Sequence, residues 1–537
     1  MAERMNLSGR GTRHPLKIFA NMFVTFIGGG ILGLPFAFKE AGIIEGIITM
    51  VFVSIVSIKA MLQIVDCKYK ILGKRIQGIS KAMTREAKEE DYDSLIAPEM
   101  SSRDFLKEEG NLMISIKEPR IQYNDLSYGD IGYHALGHAG KILVDLAIVL
   151  TQTGFCCAYL IFIAENLSDY ISSIKLWGWL CFLLPPLFLL TLFRHLSTLA
   201  SSSLLAQISN LMAFGVVFWF DLEHLSQVNI HPTEVSIRGF PFFLAISIYC
   251  FEGAGMILSL EASLAEDVQH KFKKFFILAM VVITSLYISF GICGYLSFGQ
   301  DTNEVITLNL PKGQSFHFSM VVKICLCLGI FFTYPVMLFP VIKIIENYFL
   351  PDANQKPCKG NILRGCLVML TGFVVLAVPN FANLMALVGA SCCTLLAFIL
   401  PGVFHLCIYK SSITRSQQII DWLLILFGIC GTIAGTVDAF KRLSSFQTGF
   451  NVQNVTMKIV STENITQVTG VHSAHMAITP SSVNMRFKPS TPPTANYVTK
   501  SSVWTSSKLQ TFLEAKSANL TDKQKMMYAT PSKSALL

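Results

Sequence analysis

Eleven long apolar stretches, separated by polar ones, run along this 537-residue chain. They fall at approximately 18–38, 42–65, 142–165, 177–194, 199–220, 240–262, 275–297, 319–342, 362–379, 384–408 and 420–440. Each is close to the roughly 20 residues that an α-helix needs to cross a hydrocarbon core of about 30 Å. The pattern predicts an all-α polytopic membrane protein with eleven transmembrane helices. It divides the chain into a short N-terminal segment, 1–17, a helical domain, 18–441, and a polar tail, 442–537. One long polar loop, 66–141, interrupts the domain between spans two and three.

Two of the spans are poor helices at their centres. Span one contains Gly28, Gly29 and Gly30 in a row, with Gly33 and Pro35 close behind. Glycine costs about 1 kcal/mol against alanine in a helix interior, so the triplet predicts a break. Span six repeats the anomaly at Phe251-Glu-Gly-Ala-Gly255. In lipid, non-helical backbone survives only where protein or a wet cavity covers it. Spans one and six lie five apart and so cross in opposite directions. Broken helices at matching positions of two oppositely oriented halves predict a five-plus-five inverted repeat with a binding site between the breaks. Glycine patches that merely permit close helix packing are the competing reading. Glu252 weighs against it, because a charge near the bilayer centre is costly and seldom kept for packing.

Composition and charge fix orientation. The chain is 52% hydrophobic and 15% charged, against about 25% charged in soluble domains. With the N-terminus in the cytosol, 26 Lys and Arg fall on the cytosolic side. Only Lys39, Lys175, Arg238, Lys312 and Lys323 fall opposite, the tail excluded. This asymmetry satisfies the positive-inside rule. It also accounts for the net charge of +8 without nucleic acid. The first span lacks a signal peptide's cleavage pattern and is expected to stay as an anchor. Eleven crossings leave the tail lumenal or extracellular. The tail has 27 Ser or Thr among 96 residues and reads as disordered. Asn454, Asn464 and Asn519 open Asn-x-Thr triplets there, glycosylation acceptors if the tail is lumenal. Most of the 14 cysteines lie inside apolar spans and read as buried thiols. None has zinc-ligand spacing, and no metal or cofactor is implied.

The breaks expose complementary chemistry. The half-helix after Gly30 begins with free N–H groups and a partial positive charge, suited to a carboxylate. Around Phe251–Gly255, freed carbonyls and the Glu252 carboxylate suit an ammonium group. A pocket with both ends matches a zwitterionic α-amino acid, walled by Phe26, Tyr249 and Phe251.

These residues resemble a known family. Ile27-Gly-Gly-Gly-Ile-Leu-Gly-Leu-Pro-Phe-Ala-Phe-Lys39 and Phe251-Glu-Gly-Ala-Gly-Met-Ile-Leu258 look like the paired signatures of the amino acid/auxin permease family. Gln152-Thr-Gly-Phe-Cys-Cys-Ala-Tyr-Leu-Ile-Phe-Ile163 and Pro379-Asn-Phe-Ala-Asn-Leu-Met-Ala-Leu-Val-Gly389 add to the likeness, which covers roughly residues 14–442. Within the family, it is the vacuolar amino acid exporters and the proton-assisted transporters that the chain resembles. The resemblance implies an eleven-helix carrier of neutral amino acids with the amino acid/polyamine/organocation architecture, working as a monomeric unit in lipid. It carries the substrate site over to Thr25, Ile27, Gly28, Gly29, Gly30, Ile31 and Leu32 in span one. In span six it falls on Tyr249, Phe251, Glu252, Gly253 and Gly255. Tyr159 enters as a lid and Thr333 as a further site residue. An exofacial disulfide found in related carriers has no counterpart here, since the loops placed outside lack cysteine.

Coupling has two candidates. A proton needs a titratable group, and Glu252 is the best placed, because burial disfavours a charged carboxyl. Sodium would want a hydroxyl and several carbonyls, and Thr333 is the obvious hydroxyl. His134 and His138, on a short interfacial stretch that begins at Leu126, read as a solvated face. An amino acid sensor with little net transport needs the same pocket as a carrier. A membrane-embedded enzyme would need a constellation such as paired histidine and aspartate, and His195 and His405 read as isolated interface residues. The vacuolar or lysosomal membrane is the expected location, with the plasma membrane as the alternative.

Overall fold

Where glycine and proline do not interrupt them, the apolar runs fold as long helices. The computed structural model describes residues 13–94, 126–193, 196–225, 233–310, 316–350 and 357–474, and every regular element among them is helical. Seven stretches are individually long and apolar enough to cross a membrane. They are Ile43–Gly78, His138–Ser168, Phe272–Asp301, Ser319–Phe349, Cys358–Ala377, Phe381–Ile408 and Arg415–Ser445. Each hides one face and exposes another that is also apolar. In the first, Ile48 and Ile55 are 64% and 61% exposed. An exposed apolar face repeated on helix after helix has lipid as its natural solvent.

Of the four remaining predicted spans, spans one and six are divided and span four is a helix of 16 residues, which is why helix length alone does not find them. Span five is the 30-residue helix Leu196–Leu225. Span one is α1 (Pro15–Phe26), a 3₁₀ turn (Gly29–Gly33) and α2 (Leu34–Ala41). Helix α3 (Ile43–Ser94) follows Gly42, whose φ of +90° turns the chain sharply. A side chain there would stand 2.7 Å from the Glu234 carbonyl. Next come α4 (Tyr128–Leu136), α5 (His138–Ser168), α6 (Leu176–Thr191) and α7 (Leu196–Leu225). Span six is α8 (Phe240–Cys250) and α9 (Ile257–Ala262), separated by six residues without helix. After α10 (Glu266–Gln269) come α11 (Phe272–Phe298), α12 (Phe316–Phe349) and α13 (Pro357–Ala377). The tenth predicted span joins α14 (Phe381–Val388) to α15 (Leu400–Ile408) through two π-helical turns, Gly389–Cys393 and Leu395–Ile399. Helix α16 (Arg415–Ala474) completes the described chain.

Both polar boundaries differ from the sequence expectation. Helix α3 runs past the apolar limit at 65 as far as Ser94, because 68–94 is rich in Lys, Glu and Arg and has no proline. Helix α16 likewise passes 441 and reaches Ala474, since every proline of the tail lies beyond that point. Asn454 and Asn464 therefore sit on helix, while Asn519 lies outside the described residues.

Contacts sort the helix ends onto two faces. Asp66, near one end of the apolar part of α3, takes Lys273 Nζ at 2.5 Å. The Tyr409 hydroxyl donates to its carbonyl at 3.0 Å. Arg13 pairs with Asp267 on this face. Glu40 lies just before the other end of α3, roughly 35 Å away at a rise of 1.5 Å per residue. It takes Arg442 at 2.8 Å, while Lys39 donates to the Thr302 carbonyl at 3.1 Å. The described chain thus starts on the Asp66 face, and Arg442 of α16 lies on the Glu40 face.

Candidate substrate site

The two breaks meet. A Cβ on Gly30 would stand 3.1 Å from Cys250 Sγ and 3.2 Å from the Tyr249 ring. A Cβ on Gly253 would stand 2.4 Å from the Phe26 ring. Each break packs its glycine against the end of the other half-helix, so a larger residue at either would force the two apart. Tyr287 of α11 joins them from the side. Its hydroxyl donates to the Phe26 carbonyl at 2.6 Å and lies 3.3 Å from the Cys250 carbonyl.

A cavity of about 50 Å³ lies between the breaks. Of the predicted residues, Thr25, Phe26, Gly28, Gly29, Gly30, Tyr159, Tyr249 and Glu252 line it. A water occupies about 30 Å³ of liquid, so in this conformation the cavity holds one or two waters' worth of space. The first N–H groups of a helix have no acceptor within it. Gly28–Gly30 present such groups on one wall. On the other, Glu252 Oε1 accepts the Ala254 N–H at 3.0 Å, and Oε2 is buried without a protein partner. The glycine break and a buried carboxylate therefore line one small space inside an apolar bundle.

Other predicted residues lie elsewhere. Ile27, Ile31 and Leu32 are buried in the packed core. Phe251 is also buried, with its ring 5.4 Å from that of Tyr287. Gly253 packs on Phe26, as described above. The Thr333 hydroxyl donates to the Gly329 carbonyl of its own helix at 2.8 Å. Four cavity residues were not singled out from sequence: Phe155, Cys250, Tyr287 and Met337. An aromatic, cysteine or methionine in an apolar span looks like core, and nothing in the sequence separates these from their neighbours. Met337 stands one helical turn beyond Thr333.

Gly255 lines a second, larger space of about 790 Å³, with Ser127, Tyr128, His138, Lys141, Asp145, Ser259, Ser263 and Tyr348. This vestibule reaches the span-six break from the Asp66 face, where Lys68 and Tyr69 of α3 both bond Glu261 of α9. On the opposite face the loop between α11 and α12 is closed down. Val305, Ile306 and Thr307 are fully buried, and Thr307 donates to Asn166 Oδ1 at 2.7 Å. Glu304 of this loop accepts from the Asn380 amide at 2.5 Å. Burial lifts its carboxyl above the usual carboxylate range, with the Asn380 bond opposing. The site is thus covered on the Glu40 face and approached from the Asp66 face.

A family model described as transmembrane amino acid transporter protein matches residues 11–80 and 112–441. The chain belongs to the amino acid/auxin permease family. Amino acid transporter AVT3C of Arabidopsis thaliana is 34% identical over 454 residues, spanning 80% of this chain and 91% of its own. Amino acid transporter AVT3B of the same plant is 32% identical over 455 residues, spanning 81% and 95%. Among solved structures, a Na+-coupled sialic acid symporter aligns with a TM-score of 0.40 at 9% identity, covering 80% of this chain and 96% of its own. That score is too low to show a shared fold. Both glycine breaks of this family member fall within the matched residues.

One sequence expectation is corrected. His405 does not stand alone: its Nδ1 lies 2.6 Å from Asp421 Oδ2, and Gln63 donates to Asp421 Oδ1 at 2.5 Å. The partners come from α15, α16 and α3, which is why local sequence did not reveal them. His405 and Asp421 are 5% and 0% exposed and line neither space. The cluster ties three helices together. His134 also has a partner, 2.8 Å from Arg75. Partial burial and that guanidinium hold its imidazole below the usual range.

Proposed function

We propose that this permease is a secondary active carrier that moves neutral α-amino acids across a membrane by alternating access, coupled to protons. The observation that carries the reading is the cavity where Gly28–Gly30 and Glu252 face each other across the two breaks. Backbone donors at the start of a half-helix suit the substrate carboxylate. The unpartnered oxygen of Glu252 suits either the substrate ammonium or a proton, since a carboxylate out of water is stable only when neutralised or paired. Phe155, Tyr159 and Tyr249 wall the space for the side chain. Phe155 and Tyr249 meet edge to face at 4.7 Å, a contact that must open to admit anything beyond the smallest ligand.

Eleven crossings in two inverted halves are part of this reading. It is supported by the two divided spans and by the placement of Arg13 and Arg442 on opposite faces, which requires an odd number of crossings. The Asp66 face is then cytosolic and the conformation faces inward. The vestibule favours a carrier over a sensor, because a route from one side to the site serves transport. The family branch that the sequence resembles supports a vacuolar or lysosomal membrane. Glu252→Gln keeps the shape of the side chain but removes its titration. Uptake by this variant is expected to lose its dependence on a proton gradient at unchanged protein abundance. Proton dependence equal to wild type would remove Glu252 from the coupling role.

A further inference from the structure

We infer that the Tyr287 hydroxyl stands in for a coupling cation between the two half-helix ends, which frees transport from sodium. The inference rests on the carrier reading above. The last carbonyls of a helix lack partners within it and carry the negative end of its dipole. In carriers built on broken helices, such ends take up the coupling sodium ion or proton. Here α1 ends at Phe26 and α8 ends at Cys250. Both terminal carbonyls converge on Tyr287 Oη, at 2.6 and 3.3 Å. The nearby amide of Ala254, four residues past Cys250, is turned away to Glu252.

One hydroxyl proton therefore sits where the two negative helix ends meet. It supplies the positive partner that a bound sodium ion would otherwise supply, and it brings no net charge. Tyr287 is buried and its ring packs against Phe251, so the hydroxyl cannot swing aside without repacking α11 against the break. Tyr287 also lines the substrate cavity, which links the state of this contact to occupancy. Thr333, the hydroxyl that sequence offered for sodium, bonds the Gly329 carbonyl of its own helix and is not among the residues lining the cavity. The charge carried in the transport cycle is left to Glu252.

Tyr287→Phe removes the hydroxyl and leaves the ring. The two carbonyls then face each other without a donor. The test uses the full chain in proteoliposomes under an imposed pH gradient, in choline medium and in sodium medium. Wild-type amino acid flux is expected to be the same in both. The variant is expected to lose flux about tenfold in choline, the effect of one buried hydrogen bond, and to recover part of it in sodium. Wild-type flux that rises with sodium overturns the inference. So does a variant that matches wild type in choline, or one that loses flux with no response to sodium. Flux is normalised to protein that elutes as a folded, monodisperse species, so misfolding does not pass for lost flux, and wild-type flux that rises with sodium overturns the inference without any variant. Sodium-dependent wild-type flux would sink this inference alone, whereas absence of any wild-type flux would sink the carrier reading and this one with it.

Discussion

Single atoms set the distance between the breaks. At Gly253 a methyl group would lie 2.4 Å from the Phe26 ring, and that ring is held in the core between α1 and α11. Gly253→Ala is expected to lower stability by about 1–3 kcal/mol, the usual effect of overpacking. Gly215 is a control, since nothing lies within 4 Å of its would-be Cβ. Gly215→Ala should be neutral or stabilising by up to about 1 kcal/mol, from helix propensity alone. Thermal unfolding in detergent reads both. A Gly253→Ala variant as stable as wild type would mean that the breaks are not in contact. The glycines and Glu252 were legible in the sequence because they violate the rules of an apolar helix. Tyr287, Phe155 and Met337 obey those rules, so only their meeting in space marks them.

Between elements, a buried ion pair ties α3 to α9 beside the span-six break. Lys68 Nζ lies 2.5 Å from Glu261 Oε2, with both side chains sealed from solvent and Tyr69 donating to the other oxygen. Removing one member of such a pair strands a buried charge. Lys68→Met alone should cost about 3–5 kcal/mol, while Lys68→Met with Glu261→Leu should recover much of it. A double-mutant cycle on melting temperature measures the coupling, and additive effects would contradict it. The exposed Arg13–Asp267 pair should show little coupling by comparison. Element positions were largely legible: each predicted span overlaps a helix or a divided pair of helices. Their polar ends were not. Hydropathy locates lipid contact, whereas helix continues wherever propensity allows, as α3 does to Ser94 and α16 to Ala474. The pairing of Lys68 with Glu261, 193 residues apart, has no local signature at all.

At the scale of the whole molecule, the arrangement is a site at the crossing of two divided helices, covered on one face and open to a vestibule on the other. The buried 305–307 loop covers one side and the 790 Å³ vestibule opens the other, the asymmetry expected of one end state in the proposed alternating-access cycle. Family membership and this geometry point the same way, and the proposed substrate is a zwitterion on the chemistry of the two breaks. The direct test is uptake of radiolabelled neutral amino acids by the purified chain in proteoliposomes, with and without an imposed pH gradient. The account predicts saturable uptake of at least one neutral amino acid, accelerated by the gradient and lost when a protonophore collapses it. No gradient-driven flux of any of the twenty amino acids would contradict it.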